Sequence, residues 1–443
     1  MSSLPEWLAY QSQVHPQAID LGLDRLQRVL GSLGWRQPKV PVIVVAGTNG
    51  KGSVSGYCAA IMAAAHFRVG TFTSPHLRDY RERIRIHDRL VSAEELVAAF
   101  ERIEAARDAV PLTFFEFNTL AALLVFDAAQ LDAWILEIGM GGRLDAVNVV
   151  DAAVAIVVSI GFDHQEYLGT TLEAIAREKA GIFRRGRPAV LGSPDMPGVV
   201  TELAREIGAP LKRVGVEYSY AREGAHWRFR GSRWNLPQLP APALMGEAQY
   251  ANAATAIAAL EELDARLAIP AAAVAQGLEQ VRLAARFQMI GSALPGAPTW
   301  IVDVAHNPAA ARVLARNLRD HPGAGRTLAV CGILADKDAE GVVAELRQCV
   351  DAWWCVGIDG DRSRSGASLA ERVAHLVAAP IAAAQSPAAG CAAALAYATL
   401  ADRIVVFGSF HVAGPALDWL EANGLLPPAA HPEYTVAPRA IHA

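Results

Sequence analysis

The sequence predicts an α/β protein in two units: a large N-terminal one on a parallel sheet, then a smaller α/β one. Three observations lead there. Apolar runs at 40–46, 69–73, 132–138, 153–160 and 187–192 alternate with helical patterns at 53–65, 92–107, 114–129, 170–180 and 198–207, as βαβ units require. "GSALPGAP" at 291–298 is the best linker in the chain. After it the alternation restarts.

The elements follow in order. The β-branched run "VPVIVVA" ends at Ala46 in a glycine-rich loop, and a helix begins near Ser53. Residues 213–240 differ from their surroundings. Their short aromatic runs and turn residues predict a small antiparallel patch, with helices at 247–264 and 270–280 beyond it. The second unit reads "TWIVDVA", a helix from Pro308, "TLAVCGIL", a helix, "AWWCVGI", helices, then "RIVVFGSF". Pro308 suits the first position of a helix. The expected limits are 1–290, a linker at 291–298, 299–427, and a Pro/Ala-rich mobile tail from 428 to 443.

Composition narrows the function. The 443 residues are 52% hydrophobic and 19% charged, enough apolar material for a large core in two or three domains. A net charge of −5 argues against nucleic acid or an anionic membrane as a partner over the whole surface. "MSSLPEWLAYQSQVHP" lacks the basic and apolar regions of a signal peptide, and no 18-residue apolar span occurs. Five cysteines (58, 331, 349, 355, 391) form no C-x-x-C and no zinc pattern, which fits a reducing cytoplasm. Lysine is scarce: Lys39, Lys51, Lys179, Lys212 and Lys337 stand against 35 arginines. Lys51, Lys179 and Lys337 fall in segments of interest on other grounds.

"VVAGTNGKGS" at 44–53 poses the first chemical question. It departs from the usual G-x-x-x-x-G-K-S/T loop, since Gly47 is three residues before Gly50 and Gly52 separates Lys51 from Ser53. The physics survives. Glycines permit positive φ and close backbone approach, and the loop N–H groups with the next helix N-terminus face an anion. Thr48 through Ser53 thus predict a phosphate cradle with Lys51 on the β/γ-phosphates; the bland alternative is a strand–turn–helix with a surface lysine.

Ligands of an open parallel sheet bind beyond the carboxyl ends of its strands. Those ends carry Ser74 before Pro75, Glu137, and Asp163 with His164. A carboxylate after the apolar "AWIL" needs a cation, and Ser74 with Glu137 suits Mg²⁺; His164 is a less usual magnesium ligand and reads equally as a capping or core histidine. "GMGGRLDA" at 139–146 could admit a substrate to the backbone or be a tight turn. Lys179 either complements the end of its helix or faces the phosphate site. In the second unit Asp303, His306 and Asn307 end one strand, and "GILADKD" and "FGSFH" end others. Polar strand ends in two units suggest a cleft between them, within reach of Arg286 in "RFQ".

Taken together, "GTNGKGS", "TSPHL", "LEIGMGGRLDA", "DHQEYLG", "REKAGIF", "RFQ", "DVAHNP" and "GSFH" resemble folylpolyglutamate synthase, within the Mur-ligase-like ATP-dependent amide ligases, from about residue 4 to 425. The resemblance implies an N-terminal ATPase domain of P-loop type and a C-terminal Rossmann-like domain. It implies ATP contacts at Thr48, Asn49, Gly50, Lys51, Gly52, Ser53, Asn252, Arg286 and Asp303, and magnesium on Ser74, Glu137 and His164. The family's carbamylated lysine falls on Lys179, bringing two Mg²⁺ sites and a monovalent cation into the expectation; Lys51, Lys179 and His306 are the expected catalytic residues. "IDLGLDR", "TFFEF" and Asp145 resemble segments that bind dihydropteroate in the bacterial bifunctional enzymes, which points to Asp20, Thr113, Phe114, Phe115, Glu116 and Asp145. The serine of "GKGS" replaces a threonine common in relatives and keeps the hydroxyl.

The expected reaction activates a carboxylate as an acyl phosphate, which the amine of L-glutamate attacks. Substrates would be dihydropteroate, reduced folates, L-glutamate and ATP, handled by a cytoplasmic monomer with no nucleic-acid or membrane partner. Three other readings stand beside it. A folylpolyglutamate synthase alone would lack the first reaction. A cell-wall Mur ligase would need a domain before Gly47, where only 46 residues precede it. A nucleotide-dependent switch would hydrolyse nucleotide without glutamate.

Overall fold

A computed structural model describes residues 1–87, 89–224, 226–291, 298–360 and 362–426. The first sheet has eight strands, in the order Arg89–Leu90, Ile84–Ile86, Val69–Phe72, Ala133–Glu137, Val42–Ala46, Val154–Val157, Ala189–Leu191 and Leu211–Arg213. Six of them run parallel. The expected parallel sheet forms, and at one edge Ile84–Ile86 and Arg89–Leu90 extend it antiparallel. These strands are three and two residues long, too short to give a readable alternation.

Strand residues feed two cores by alternation. Val42, Val44 and Ala46 point into one layer, Ile43 and Val45 into the other. The first layer also holds the helices Leu4–Val14 and Asp24–Ser32, which sequence periodicity did not single out. The antiparallel patch forms as Ser219–Glu223, His226–Arg230 and Asn235–Pro240, with Trp227 and Phe229 buried against the second layer.

The second sheet has six strands, in the order Gln288–Ile290, Thr299–Val302, Arg403–Phe407, Thr327–Cys331, Ala352–Val356 and Ile381–Ala384. All are parallel except Gln288–Ile290, which pairs antiparallel with Thr299–Val302. Residues before the expected linker therefore already belong to the second sheet, and Ala285, Phe287 and Ile290 are buried in its cores. Of the linker at 291–298, residues 292–297 lie outside the described residues, as does the tail from 427. Among the described residues, no helix is long and apolar enough to cross a membrane.

Candidate active site

Strand Val42–Ala46 lies between Ala133–Glu137 and Val154–Val157, so the order of strands reverses beside it and a crevice opens beyond its carboxyl end. The loop at 47–50 fills that position. Gly50 has φ 89° and precedes the helix Lys51–Ala64. A Cβ on Gly50 would stand 2.8 Å from both Asn252 Oδ1 and Val158 Cγ1, so conformation and space both demand glycine. The loop is pinned from the next strand end. Thr48 N–H donates to Ser159 O (2.9 Å), and the Thr48 hydroxyl donates to Gly161 O (3.1 Å) while accepting from Gly161 N–H (3.0 Å). Ser159 Oγ accepts from Asn49 N–H (3.0 Å) and donates to Asn49 O (2.9 Å). Lys51 Nζ folds over the loop, 3.1 Å from Gly47 O and 3.4 Å from Thr48 O. A rigid loop, a helix N-terminus and an ammonium make an anion cradle.

Two buried groups of opposite ordinary charge flank it. Burial pushes the Glu137 carboxyl up to about 7, against the pull of Lys51, Arg286 and the Ser74 N–H. Burial pulls the Lys179 amine down to about 7, helped by the nearby Lys51. Lys179 Nζ donates to Gly47 O at 3.1 Å, so this lysine faces the loop. Burial also pulls the His164 imidazole down to about 4, leaving it neutral and available as a ligand. Among the described residues no three His, Cys, Asp or Glu side chains cluster as a metal site. Ser74, Glu137, His164 and Lys179 line one cavity.

The second unit closes over the loop. Asn307 and Asn49 exchange amide hydrogen bonds at 3.1 Å. Asp163 meets three groups of the other unit: Lys337 Nζ at 2.5 Å, Asn307 Nδ2 at 3.3 Å and His306 Nε2 at 3.4 Å. Burial works against the Asp163 charge, but the hydrogen bond with His306 and the nearby His164 and Lys337 hold it well below the usual carboxylate range. His306 Nδ1 donates to Val304 O (2.8 Å), which turns Nε2 toward the cleft. Asp303 accepts from the N–H groups of Phe287 and Ala305, both at 2.7 Å, and so fixes the turn that carries Arg286. That guanidinium lies over the Phe410 ring and within 3.1 Å of a Cβ built on Gly52.

At the other end, Asp20 and Glu116 both bind Arg25. Glu116 also accepts from Thr113 N–H as half of a capping box. Its carboxylate is thus engaged in structure, and Asp20 presents itself with Arg25. The Phe115 ring covers Gly139, where a Cβ would lie 2.6 Å from it. Asp145 accepts from Met140 N–H (2.8 Å) and Val147 N–H (3.0 Å), stapling the glycine-rich turn, and burial pushes it up to about 6.

One cavity of about 690 Å³ joins these parts, and every residue expected from the sequence to bind ATP, metal or pterin lines it, from Asp20 to His306. Sequence reasoning missed Arg83, Asn317 and Arg362 on its walls, and Arg25 behind Asp20 and Glu116, and assigned no role to Lys337 or Ser409. Arg83 is buried, donates to His76 Nδ1 (2.8 Å), and lies over the Tyr80 and Phe114 rings. Among 35 arginines nothing local marks it. The lysine scarcity already pointed to Lys337.

Comparison with known proteins agrees with this arrangement. Residues 45–260 match the Mur ligase middle domain, and residues 285–410 the Mur ligase, glutamate ligase domain. The dihydrofolate synthase/folylpolyglutamate synthase of Escherichia coli (strain K12) is 42% identical over 422 residues, 95% of this chain and 96% of its own. The enzyme of the same name from Haemophilus influenzae is 39% identical over 425 residues, 93% and 96% of the two chains. Among solved structures, E. coli FolC in complex with DHPP and ADP superposes with a TM-score of 0.90 at 41% identity, covering 95% of this chain and 98% of that one. The bifunctional folylpolyglutamate synthase/dihydrofolate synthase of Yersinia pestis CO92, complexed with AMPPNP and Mn ion, gives 0.87 at 41%, with the same coverage. Identity at this level along nearly the whole of both chains places the sequence in one family: the chain belongs to the dihydrofolate synthase/folylpolyglutamate synthases, within the Mur ligases.

Proposed function

We propose that the chain is an ATP-dependent ligase that joins L-glutamate to dihydropteroate, giving dihydrofolate, and adds further glutamates to reduced folates. One observation carries the reading. A single cavity sets a phosphate cradle midway between an aromatic pocket in the first unit and a cationic wall shared with the second. The names of the relatives support it, as do neighbours holding DHPP and ADP, or Mn, AMPPNP and L-glutamate.

The chemistry follows from the layout. A carboxylate oxygen of the pterin substrate attacks the γ-phosphorus of ATP; the bond to the β,γ-bridging oxygen breaks and ADP leaves. Lys51 and the loop N–H groups stabilise the charge in transfer. The glutamate nitrogen then attacks the acyl carbon, the C–O bond to phosphate breaks, and the amine's proton ends on the departing phosphate, with His306 held beside Asp163 at the cleft. Arg83, Arg362 and His411 line the wall where the carboxylates of glutamate would sit. Contacts from Asn49, Asp163, Asn307 and Lys337 close the cleft, orient the amine and keep water from the acyl phosphate.

A divalent cation fits this site, held by Ser74, Glu137 and His164, and a carbamate on Lys179 would offer an oxygen ligand to a second. Glu137 is a buried carboxyl with cationic neighbours, and Lys179 has an amine near 7 that can add CO₂. When bound, magnesium screens the phosphate charge; a second magnesium and a monovalent cation complete the expected set. The two functional units divide near residue 284, where the second sheet's cores begin. The enzyme works as a cytoplasmic monomer, and its five free thiols suit a reducing compartment.

The test is ATP-dependent phosphate release with dihydropteroate, or tetrahydrofolate, in the presence and absence of L-glutamate. Release that needs glutamate with both acceptors supports the proposal. Activity on tetrahydrofolate alone would reduce it to a folylpolyglutamate synthase, and release without glutamate would point to a nucleotide switch.

A further inference from the structure

The two units also touch away from the Asp163–Lys337 pair, at a place the reaction above does not use. On the first unit it is the loop at 74–79, which follows strand Val69–Phe72. On the second it is helix Phe410–Ala422. The loop is stiff. The Glu82 carboxylate accepts from the N–H groups of Leu77 (2.7 Å), Arg78 (3.0 Å) and Asp79 (2.9 Å), and Asp79 caps the short turn Tyr80–Arg83. At the start of the loop stands Ser74, whose N–H bonds Glu137.

The helix meets the loop along one face. Phe410, Gly414, Asp418 and Glu421 follow one another at spacings of four, four and three. Leu77 O lies so close to Gly414 that a Cβ there would overlap it. Arg78 reaches on along the helix, donating through Nε to Asp418 and through Nη2 to Glu421. Both acids are exposed, so the ion pairs alone would hold little. The packing of Leu77 on Gly414 adds a contact that salt does not screen. At the other end of the same face the Arg286 guanidinium lies over Phe410, and Ser409, Phe410 and His411 line the main cavity. A second cavity of about 570 Å³ runs between these ends, with Ser74, Arg78, Glu137, Arg286, Phe410 and Asp418 on its wall.

We propose that Leu77 and Arg78, seated on Gly414, form a latch through which L-glutamate in the second unit and nucleotide with its metal in the first strengthen each other's binding. This rests on the reading that the cradle holds ATP phosphates and that the wall of Arg83, Arg362 and His411 holds glutamate. Glutamate on the first turn of the helix fixes the helix. The helix fixes Leu77 and Arg78, and they fix Ser74, three residues before Leu77, at the cradle. Such a coupling is reciprocal, so nucleotide must tighten glutamate by the same factor. Leu77 and Arg78 are positioning residues, since neither lines the main cavity among the described residues.

The experiment is calorimetric titration of AMPPNP with Mn²⁺ into the wild type, Arg78→Gln and Gly414→Ala, with and without saturating L-glutamate. L-glutamate is also titrated into each AMPPNP complex, and thermal melts check folding. In the wild type, L-glutamate should tighten AMPPNP by about fivefold or more, the usual range for coupled sites. Each variant should bring that ratio to within about twofold of one. Arg78→Gln, at a side chain 23% exposed, keeps the test decisive should Gly414→Ala fail to fold. Variants that bind AMPPNP more weakly yet keep the wild-type ratio would mark a merely structural contact and overturn the latch. A wild type that binds L-glutamate with no change in AMPPNP affinity would overturn the latch and leave the ligase reading standing. A wild type that binds AMPPNP but no L-glutamate would overturn both.

Discussion

The ammonium of Lys337 stands 2.5 Å from Oδ1 of Asp163, and the two residues lie in loops that follow strands of different sheets. Both side chains are buried, so the pair is poorly screened by salt. Removing one member of such a pair leaves a buried charge uncompensated, typically at a cost of about 3–5 kcal/mol. Lys337→Met should therefore open the cleft. The expected outcome is a loss of at least about a hundredfold in kcat/KM, which converts to a little under 3 kcal/mol, with greater compactness in wild type than variant by small-angle scattering in ADP. A variant that keeps wild-type activity would show that this ion pair does not hold the closed form.

Lys179 can be separated from an ordinary helix-end lysine. Its amine, held near 7 by burial and by Lys51, is substantially neutral at physiological pH and open to CO₂. Lys179→Ala should be inactive and partly rescued by a short carboxylic acid, which returns the lost oxygens. Unmodified lysine density beside a filled metal site, in crystals grown with bicarbonate, would contradict the carbamate.

Asp145 gives the pH dependence a definite sign. Its folded pKa of about 6 lies above the unfolded value of about 3.9. Between those values the folded state holds more protons, so stability falls as pH rises through the window. Glu137, raised to about 7, adds a loss of the same sign. His164 and His76, both pulled down to about 4, contribute a slope of the opposite sign over the same range, so in metal-free protein the Asp145 share is read from urea melts at pH 4.5 and 7 as the difference between wild type and Asp145→Asn. Asp145→Asn should remove that share while lowering stability overall, because its NH₂ replaces one of the two oxygens that accept from the N–H groups of Met140 and Val147. An unchanged slope would mean that Asp145 ionises normally.

Phe114 tests the pterin pocket. Its ring carries the Arg83 guanidinium on one side of the cavity, and Tyr80 meets it edge-on. Phe114→Ala should harm dihydropteroate use more than tetrahydrofolate use, by about tenfold or more in the ratio of kcat/KM, roughly one lost stacking contact. Equal loss on both substrates would point to one shared pterin mode.

Much of this was legible in the sequence, for physical reasons. Long βαβ strands announce themselves by apolar runs, and their carboxyl ends must hold whatever the fold binds, so Lys51, Glu137, Asp303 and His306 could be found one strand at a time. Short edge strands such as Arg89–Leu90 leave no such trace. Gln288–Ile290 was hidden because its pairing with Thr299–Val302 is across the linker. Glu116 shows the reverse: the sequence placed it at the pocket, where it lies, but its carboxylate serves the Thr113 cap and Arg25. Arg83 and Asn317 owe their places to burial against distant elements, which no local pattern encodes.

The central claim is that the carboxylate is activated by phosphoryl transfer on the loop beside Lys51. The most direct measurement uses dihydropteroate with ¹⁸O in its carboxylate, ATP and L-glutamate, and analyses the released phosphate by mass spectrometry. Attack on the γ-phosphorus followed by C–O cleavage must move one ¹⁸O into each inorganic phosphate formed, and Lys51→Ala should form almost none. Phosphate free of ¹⁸O, or ¹⁸O appearing in AMP, would contradict the account.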